Sequence, residues 1–244
     1  MPTIIRRSGT DGEASLPRVP LPEPGPQPIA RASTLSVPYV EGQAVFAVED
    51  AAGGRPLASG TGDAPTYRVD TTTGHPYFDF DQNPASSGKG PTLYRGGVAA
   101  DVNPKSYIVI GRLRRAPNNG NGFLLRQSFA SQGSMYIYPT NDANAPGALG
   151  GYGDSGNLAR GPVVELHKLC FFAVTFGGAT SFLQYNNARQ TVNLPPSTGK
   201  DFLAGYQTAS GMRFEAIEFI QYEVALTAAQ LDEKYAHYRA VYQF

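Results

Sequence analysis

The 244-residue chain has no tryptophan, a single cysteine and three histidines, and its 20 lysines and arginines are matched by 20 aspartates and glutamates. Each scarcity excludes something. One cysteine, Cys170, cannot close an internal disulfide, so the fold needs no oxidising compartment, and within "HKLCFFAVTF" it reads as a small buried apolar residue. A net charge of zero supplies no field to draw the chain onto nucleic acid or an anionic membrane, and neither is expected as a partner. His75, His167 and His237 show no paired ligand spacing, so no metal and no cofactor is expected. No stretch approaches the roughly twenty apolar residues of a membrane span. The N-terminus "MPTIIRRSGTDGEASL" lacks the apolar centre of an export signal, which points to synthesis in a cytoplasm.

What the chain has instead is punctuation and aromatic bulk. Twenty-eight glycines and twenty prolines interrupt it too often for a helical protein, while fourteen tyrosines and thirteen phenylalanines suit half-buried strands. Runs of strand type separated by turn residues recur from Thr66 onward: "PTYRVD", "PYFDFD", "PTLYRGG", "SYIVIGRLRR", "GFLLRQSF", "SMYIYP", "CFFAVTF", "SFLQYNN", "QTVNL", "DFLAGYQ" and "FEAIEFIQYEV". The Asn-Gly steps of "APNNGNG" tolerate positive φ and predict a hairpin between the fourth and fifth runs. The pattern predicts an all-β protein, a two-sheet sandwich in one domain.

Residues 1–38 differ from the rest. Prolines at 17, 20, 22, 24, 26 and 28 remove backbone donors and favour an extended arm, with Arg6, Arg7, Pro22, Pro24 and Pro26 the expected contacts to a neighbour. Residues 39–65 read as a junction with one short strand, Gln43 to Val48, and residues 66–244 as the sandwich. One helix is expected, at the C-terminus. Thr227 and Gln230 form a capping box, Leu226 and Leu231 a hydrophobic staple, and Leu231, Tyr235, Tyr238 and Tyr242 an apolar stripe that docks on the sandwich.

Candidate chemistry is sparse. Glu215 and Glu218 lie three apart on one strand, so strict alternation sends them to opposite faces unless a bulge intervenes, and they do not share a substrate as a glycosidase pair would. Gly153, Asp154, Ser155 and Gly156 spell the tetrapeptide around a serine-protease nucleophile, but no histidine base has the right surroundings, and "ALGGYGDSGNLARG" has the composition of a surface loop. Asp79, Asp81 and Asn83 have the spacing of a calcium loop, yet Pro84 and Gly90 stand where glycine and glutamate belong. Arg112, Arg114 and Arg115 read either as an anion-binding edge or, preferably, as charges that protect an edge strand. Tyr136, Tyr138 and Tyr152, expected to be exposed, are the candidate contacts to a glycan or a protein partner.

The segment "FEAIEFIQYEVALTAAQLDEKYAHYRAVY", with Glu218, Tyr222, Ala225, Leu226 and Thr227 in place, resembles the closing strand and helix of laminin-G-like, concanavalin A-like jelly-roll domains. The strand pair in "LHKLCFFAVTFGGATSFLQYNNARQTVNL" and the "FLAGYQ" after it are similar to that family too, and the likeness spans about residues 66–244. The resemblance implies a two-sheet antiparallel jelly roll, a family in which binding and structural roles are common. Together with the arm, it implies a non-enzymatic virion protein of a tailed phage, anchored to other virion proteins or to copies of itself. The alternative is a lectin-like module that recognises a host surface glycan.

Overall fold

In the computed structural model the described residues are 23–28, 30–34, 39–52, 56–59, 64–81, 91–95, 105–118, 120–126, 133–153, 158–195, 202–205 and 211–244. Two antiparallel sheets of eight strands each lie face to face. The first runs, from edge to edge, β14 (Ala188–Leu194), β13 (Gly178–Tyr185), β12 (Leu169–Thr175), β7 (Ser106–Arg115), β16 (Arg213–Tyr222), β5 (Pro76–Asp81) and β4 (Thr66–Val69), with β1 (Ala30–Ser33) also paired to β16. The second runs β11 (Leu158–Val163), β10 (Ala148–Tyr152), β9 (Ser134–Ile137), β8 (Gly122–Arg126), β15 (Phe202–Ala204), β6 (Leu93–Arg95), β3 (Leu57–Ser59) and β2 (Ala47–Val48). This is a jelly-roll β-sandwich.

Alternation explains the layers. Along β7, Tyr107, Val109 and Leu113 enter the core between the sheets, together with Phe78, Phe80, Phe172, Phe214 and Phe219 of the neighbouring strands. Ile108 and Ile110 point the other way, onto the helix side. There they meet α1 (Ala228–Tyr242), whose Leu231, Tyr238 and Tyr242 are buried against Phe171, Ile217, Ile220 and Tyr222. The helix starts as its sequence predicts: Thr227 Oγ1 accepts from Gln230 N, and Gln230 returns the bond to the Thr227 N–H. The molecule thus has three layers, second sheet, first sheet and helix, with an apolar core in each gap.

Four readings of the sequence are corrected. The Asn-Gly turn at 118–121 does not make a hairpin, because β7 pairs with β12 and β16 while β8 pairs with β9 and β15, so the chain crosses from one sheet to the other there. The glycine-rich stretch read as a surface loop forms β10 and β11, paired with each other. Its glycines serve packing rather than turning: a Cβ on Gly150 would lie 2.4 Å from the Tyr136 ring, and one on Gly151 would lie 2.6 Å from Leu194. Asp154, Ser155 and Gly156 lie outside the described residues.

Tyr136 and Tyr138 are not exposed. They sit on the outer face of the second sheet, at 0% and 3% relative exposure, beneath Ala145 of the loop that follows β9, with their hydroxyls 3.0 Å apart. Burial and that hydrogen bond push the Tyr136 hydroxyl pKa up. Tyr152 beside them is half-buried. Finally, residues before 66 take part in both sheets, through β1 in the first and β2 and β3 in the second.

Candidate functional site

The outer face of the first sheet, on the helix side, carries the polar groups of greatest interest, and two bulges put them there. Between β16 and β7, Ala216 faces Gly111 and Glu218 faces Ile110, so Ile217 is an extra residue and the alternation slips by one. Phe214, Ala216 and Phe219 therefore enter the core between the sheets, whereas Glu215, Ile217, Glu218, Ile220 and Tyr222 all lie on the helix side. The two glutamates share a face, which corrects the expectation that they diverge. A second slip, at Arg114, brings Arg115 opposite Arg213 and onto that same face.

Position along the strand then separates the glutamates. Glu218 lies under the helix, where its carboxylate accepts from Arg31 at 2.7 and 3.0 Å, from Ser33 at 3.0 Å and from the Tyr242 hydroxyl at 2.7 Å. Glu215 lies beyond the helix. One of its oxygens accepts from Arg112 Nε at 2.6 Å and the other from Arg114 Nε at 2.7 Å. Arg112 also reaches Asp70 at 2.6 Å, and Arg213 holds Asp79 through two nitrogens, at 3.1 and 2.7 Å. Arg115 pairs with Asp81 at 2.9 Å.

Four guanidinium groups and four carboxylates therefore alternate across this face. Burial alone would raise the Asp70 carboxyl, but the hydrogen bonds from Arg112 and from the Thr73 and Thr72 N–H groups outweigh it and hold its pKa down at about 2. The hydrogen bonds to Asp79 likewise raise the Arg213 guanidinium. β7 is an interior strand, with β12 on one side and β16 on the other. The reading of Arg112, Arg114 and Arg115 as guards of an edge strand is thus corrected: they lie over the middle of a sheet and build a site.

Above them opens a cleft of about 440 Å³, lined by Tyr77, Arg114, Arg115, His167, Arg213 and Glu215. A smaller hollow of about 30 Å³ adjoins it, lined by Asp70, His75, Tyr77, Arg112, Glu215 and Ile217 among others. Tyr77 belongs to both, half-buried, with its ring 5.9 Å from the Arg112 guanidinium carbon. His167 stands exposed at the rim with φ of +67°, in the left-handed region that few non-glycine residues adopt. Its N–H bonds to Leu113 O at 2.8 Å, which holds the turn before β12 against β7. None of the three tyrosines expected as contacts lines this cleft. Tyr77 and His167 were not singled out as contacts by their sequence context, since neither has a motif around it.

The other sequence-predicted contacts belong to the arm. Arg6, Arg7 and Pro22 lie outside the described residues. Pro24 and Pro26 lie in a segment that binds its own domain. Glu23 pairs with Lys234 at 2.7 Å and with Arg31 at 3.5 Å and accepts from the Tyr222 hydroxyl, while Lys234 Nζ also donates to Pro26 O at 2.8 Å. Lys234 is wholly buried, its ammonium 4.8 Å from the Tyr222 ring centre, and burial lowers its pKa. β1 then takes the half of the β16 edge that β5 leaves open, pairing from Ser33↔Glu218 to Ala30↔Gln221. Residues 23–28 and 30–34 clasp the helix and the sheet.

No protein-family model matches the chain, and no curated protein sequence matches it. Solved structures do. A sialidase of Trypanosoma rangeli in complex with sialic acid is similar at 11% identity and a TM-score of 0.58, over 87% of this chain and 33% of that one. The binding domain of botulinum neurotoxin DC in complex with SialylT is similar at 10% identity and a TM-score of 0.56, over 85% of this chain and 50% of that one. The botulinum neurotoxin serotype D binding domain follows at 11% identity and a TM-score of 0.53, over 86% and 51%. The chain thus spans a third to about half the length of these proteins, and at such identities the likeness is one of fold. The expectation of a protein outside the enzymes is corrected by the same matches, since sialidases contain this fold over 84% to 87% of the chain.

Proposed function

We propose that the chain is a carbohydrate-recognition domain and that the cleft on the outer face of its first sheet holds the sugar. The observation that carries this reading is the cleft itself: an aromatic side chain, Tyr77, and three arginines, Arg114, Arg115 and Arg213, line one pocket of about 440 Å³. An aromatic ring takes the C–H face of a pyranose, and side chains fixed by ion pairs orient hydroxyl groups without losing rotamer entropy on binding. Glu215, Asp81 and Asp79 fix Arg114, Arg115 and Arg213 in this way. The similar folds solved with sialic acid and with SialylT support the same class of ligand.

The other reading, a virion structural protein fastened to neighbours by its arm, receives less support. Residues 23–28 and 30–34 engage the chain's own helix and sheet rather than a neighbour. An oligosaccharide array followed by titration calorimetry on the best ligand tests the proposal. Tyr77→Ala is expected to weaken binding at least tenfold while the domain stays folded, its unfolding midpoint lowered by the packing that Tyr77 loses on the helix-side core. Wild-type binding that Tyr77→Ala leaves untouched removes the cleft as the site.

A further inference from the structure

We infer that the cleft selects sugars bearing a carboxylate, an inference that rests on the carbohydrate reading of the same cleft. The hydrogen-bonding capacity of the site is lopsided. Glu215 and Asp79 each have both oxygens engaged by arginine and keep only 3% and 6% of their side-chain surface exposed. Their acceptor capacity is turned inward. The arginines are the outward layer: the Arg114, Arg213 and Arg115 side chains are 31%, 36% and 46% exposed.

Arg114 gives only its Nε to Glu215, and its two terminal nitrogens make no hydrogen bond among the described residues. At Arg114 the cleft therefore shows the ligand a fork of two N–H groups, with Tyr77 and His167 also in the lining. A neutral sugar hydroxyl meets such a fork with a single oxygen and gives its own proton to Tyr77, His167 or water. A carboxylate only accepts, and its two oxygens match the spacing of one guanidinium fork. Asp81, half-exposed at the rim, is occupied by Arg115 at 2.9 Å and lies 3.8 Å from Arg213. It repels an anion placed on its side of the cleft and so favours the Arg114 side.

Titration calorimetry on the full chain tests this with four probes: sialyllactose, a glucuronate-capped disaccharide, a sulfated galactose disaccharide, and lactose as the neutral parent. At least one carboxylate sugar is expected to bind ten times or more tighter than lactose, with an affinity that falls as salt rises. Arg114→Gln should abolish that preference, and Arg114→Lys should restore it only in part, because an ammonium lacks the fork. Equal affinity for lactose and the carboxylate sugars overturns the inference and leaves the carbohydrate reading standing. Tighter binding of the sulfated sugar overturns the carboxylate assignment. Absence of binding to all four and to the oligosaccharide array overturns the carbohydrate reading and the inference with it.

Discussion

Replacing Glu23 by glutamine removes the carboxylate that faces Lys234 Nζ at 2.7 Å in a site where the lysine has no exposed surface. The amine then has no counter-ion, only the uncharged amide oxygen of the glutamine, Pro26 O at 2.8 Å and the Tyr222 ring at 4.8 Å. Breaking one side of a buried ion pair costs about 3–5 kcal/mol, because the remaining charge stays without a counter-ion. Lys234→Met costs less, roughly 1–3 kcal/mol, since Glu23 retains Arg31 at 3.5 Å and the Tyr222 hydroxyl. The double variant leaves no buried unpaired charge on either side, so its cost falls below the sum of the singles by about 2 kcal/mol or more. Equilibrium urea unfolding of the four proteins measures this, provided the slopes agree. Strict additivity of two small effects, each under about 0.5 kcal/mol, would refute the clasp, since residues 23–28 and 30–34 would then not be held where they lie.

Three further outcomes follow from the same packing. Gly150→Ala brings a Cβ to 2.4 Å from the buried Tyr136 ring and is expected to cost about 1–3 kcal/mol in urea unfolding, whereas a true surface loop would tolerate it. Thr227→Ala removes the N-cap acceptor of Gln230 N and should lower stability by about 1 kcal/mol. Asp70 has a folded pKa of about 2, below its ordinary value, so its stabilisation is complete above about pH 4 and is lost as pH falls toward 2. The shift corresponds to roughly 2 kcal/mol, reduced to about 1 by solvent access. Asp70→Asn should flatten that limb of the stability profile, and an unchanged limb would show that Arg112 does not hold the carboxyl down.

The strands with strict alternation or long apolar runs were legible: β5, β7, β12 and β16 stand where their residues place them, and Thr227 and Gln230 announced the helix. β10 and β11 were not, because Gly150, Gly151 and Gly161 were read as turn formers when their lack of a side chain admits Tyr136, Leu194 and Leu183. Long-range packing decided that, and no local signal records it. Of the candidate site, Arg112, Arg114, Arg115, Glu215, Asp79 and Asp81 stood out one motif at a time, but not their assembly on one face. Its geometry depends on the extra residues Ile217 and Arg114, and a bulge leaves no mark in a single sequence. One residue of slip moved Glu218 to the face that holds Glu215, and the interior place of β7 between β12 and β16, which no local pattern records, made a cleft floor of a supposed edge defence. The N-terminal segment shows the same limit: the partner of β1, the open half of the β16 edge, is defined only once the sheet exists.

Amide and side-chain chemical-shift mapping of the full chain, titrated with the tightest ligand found on the oligosaccharide array, tests the central claim most directly. Perturbations are expected to centre on Tyr77, Arg114, His167 and Arg213, with Tyr136 and Tyr138 on the opposite side of the sandwich unmoved. Perturbations confined to the second sheet or the loops around Tyr152, with the cleft silent, would contradict it.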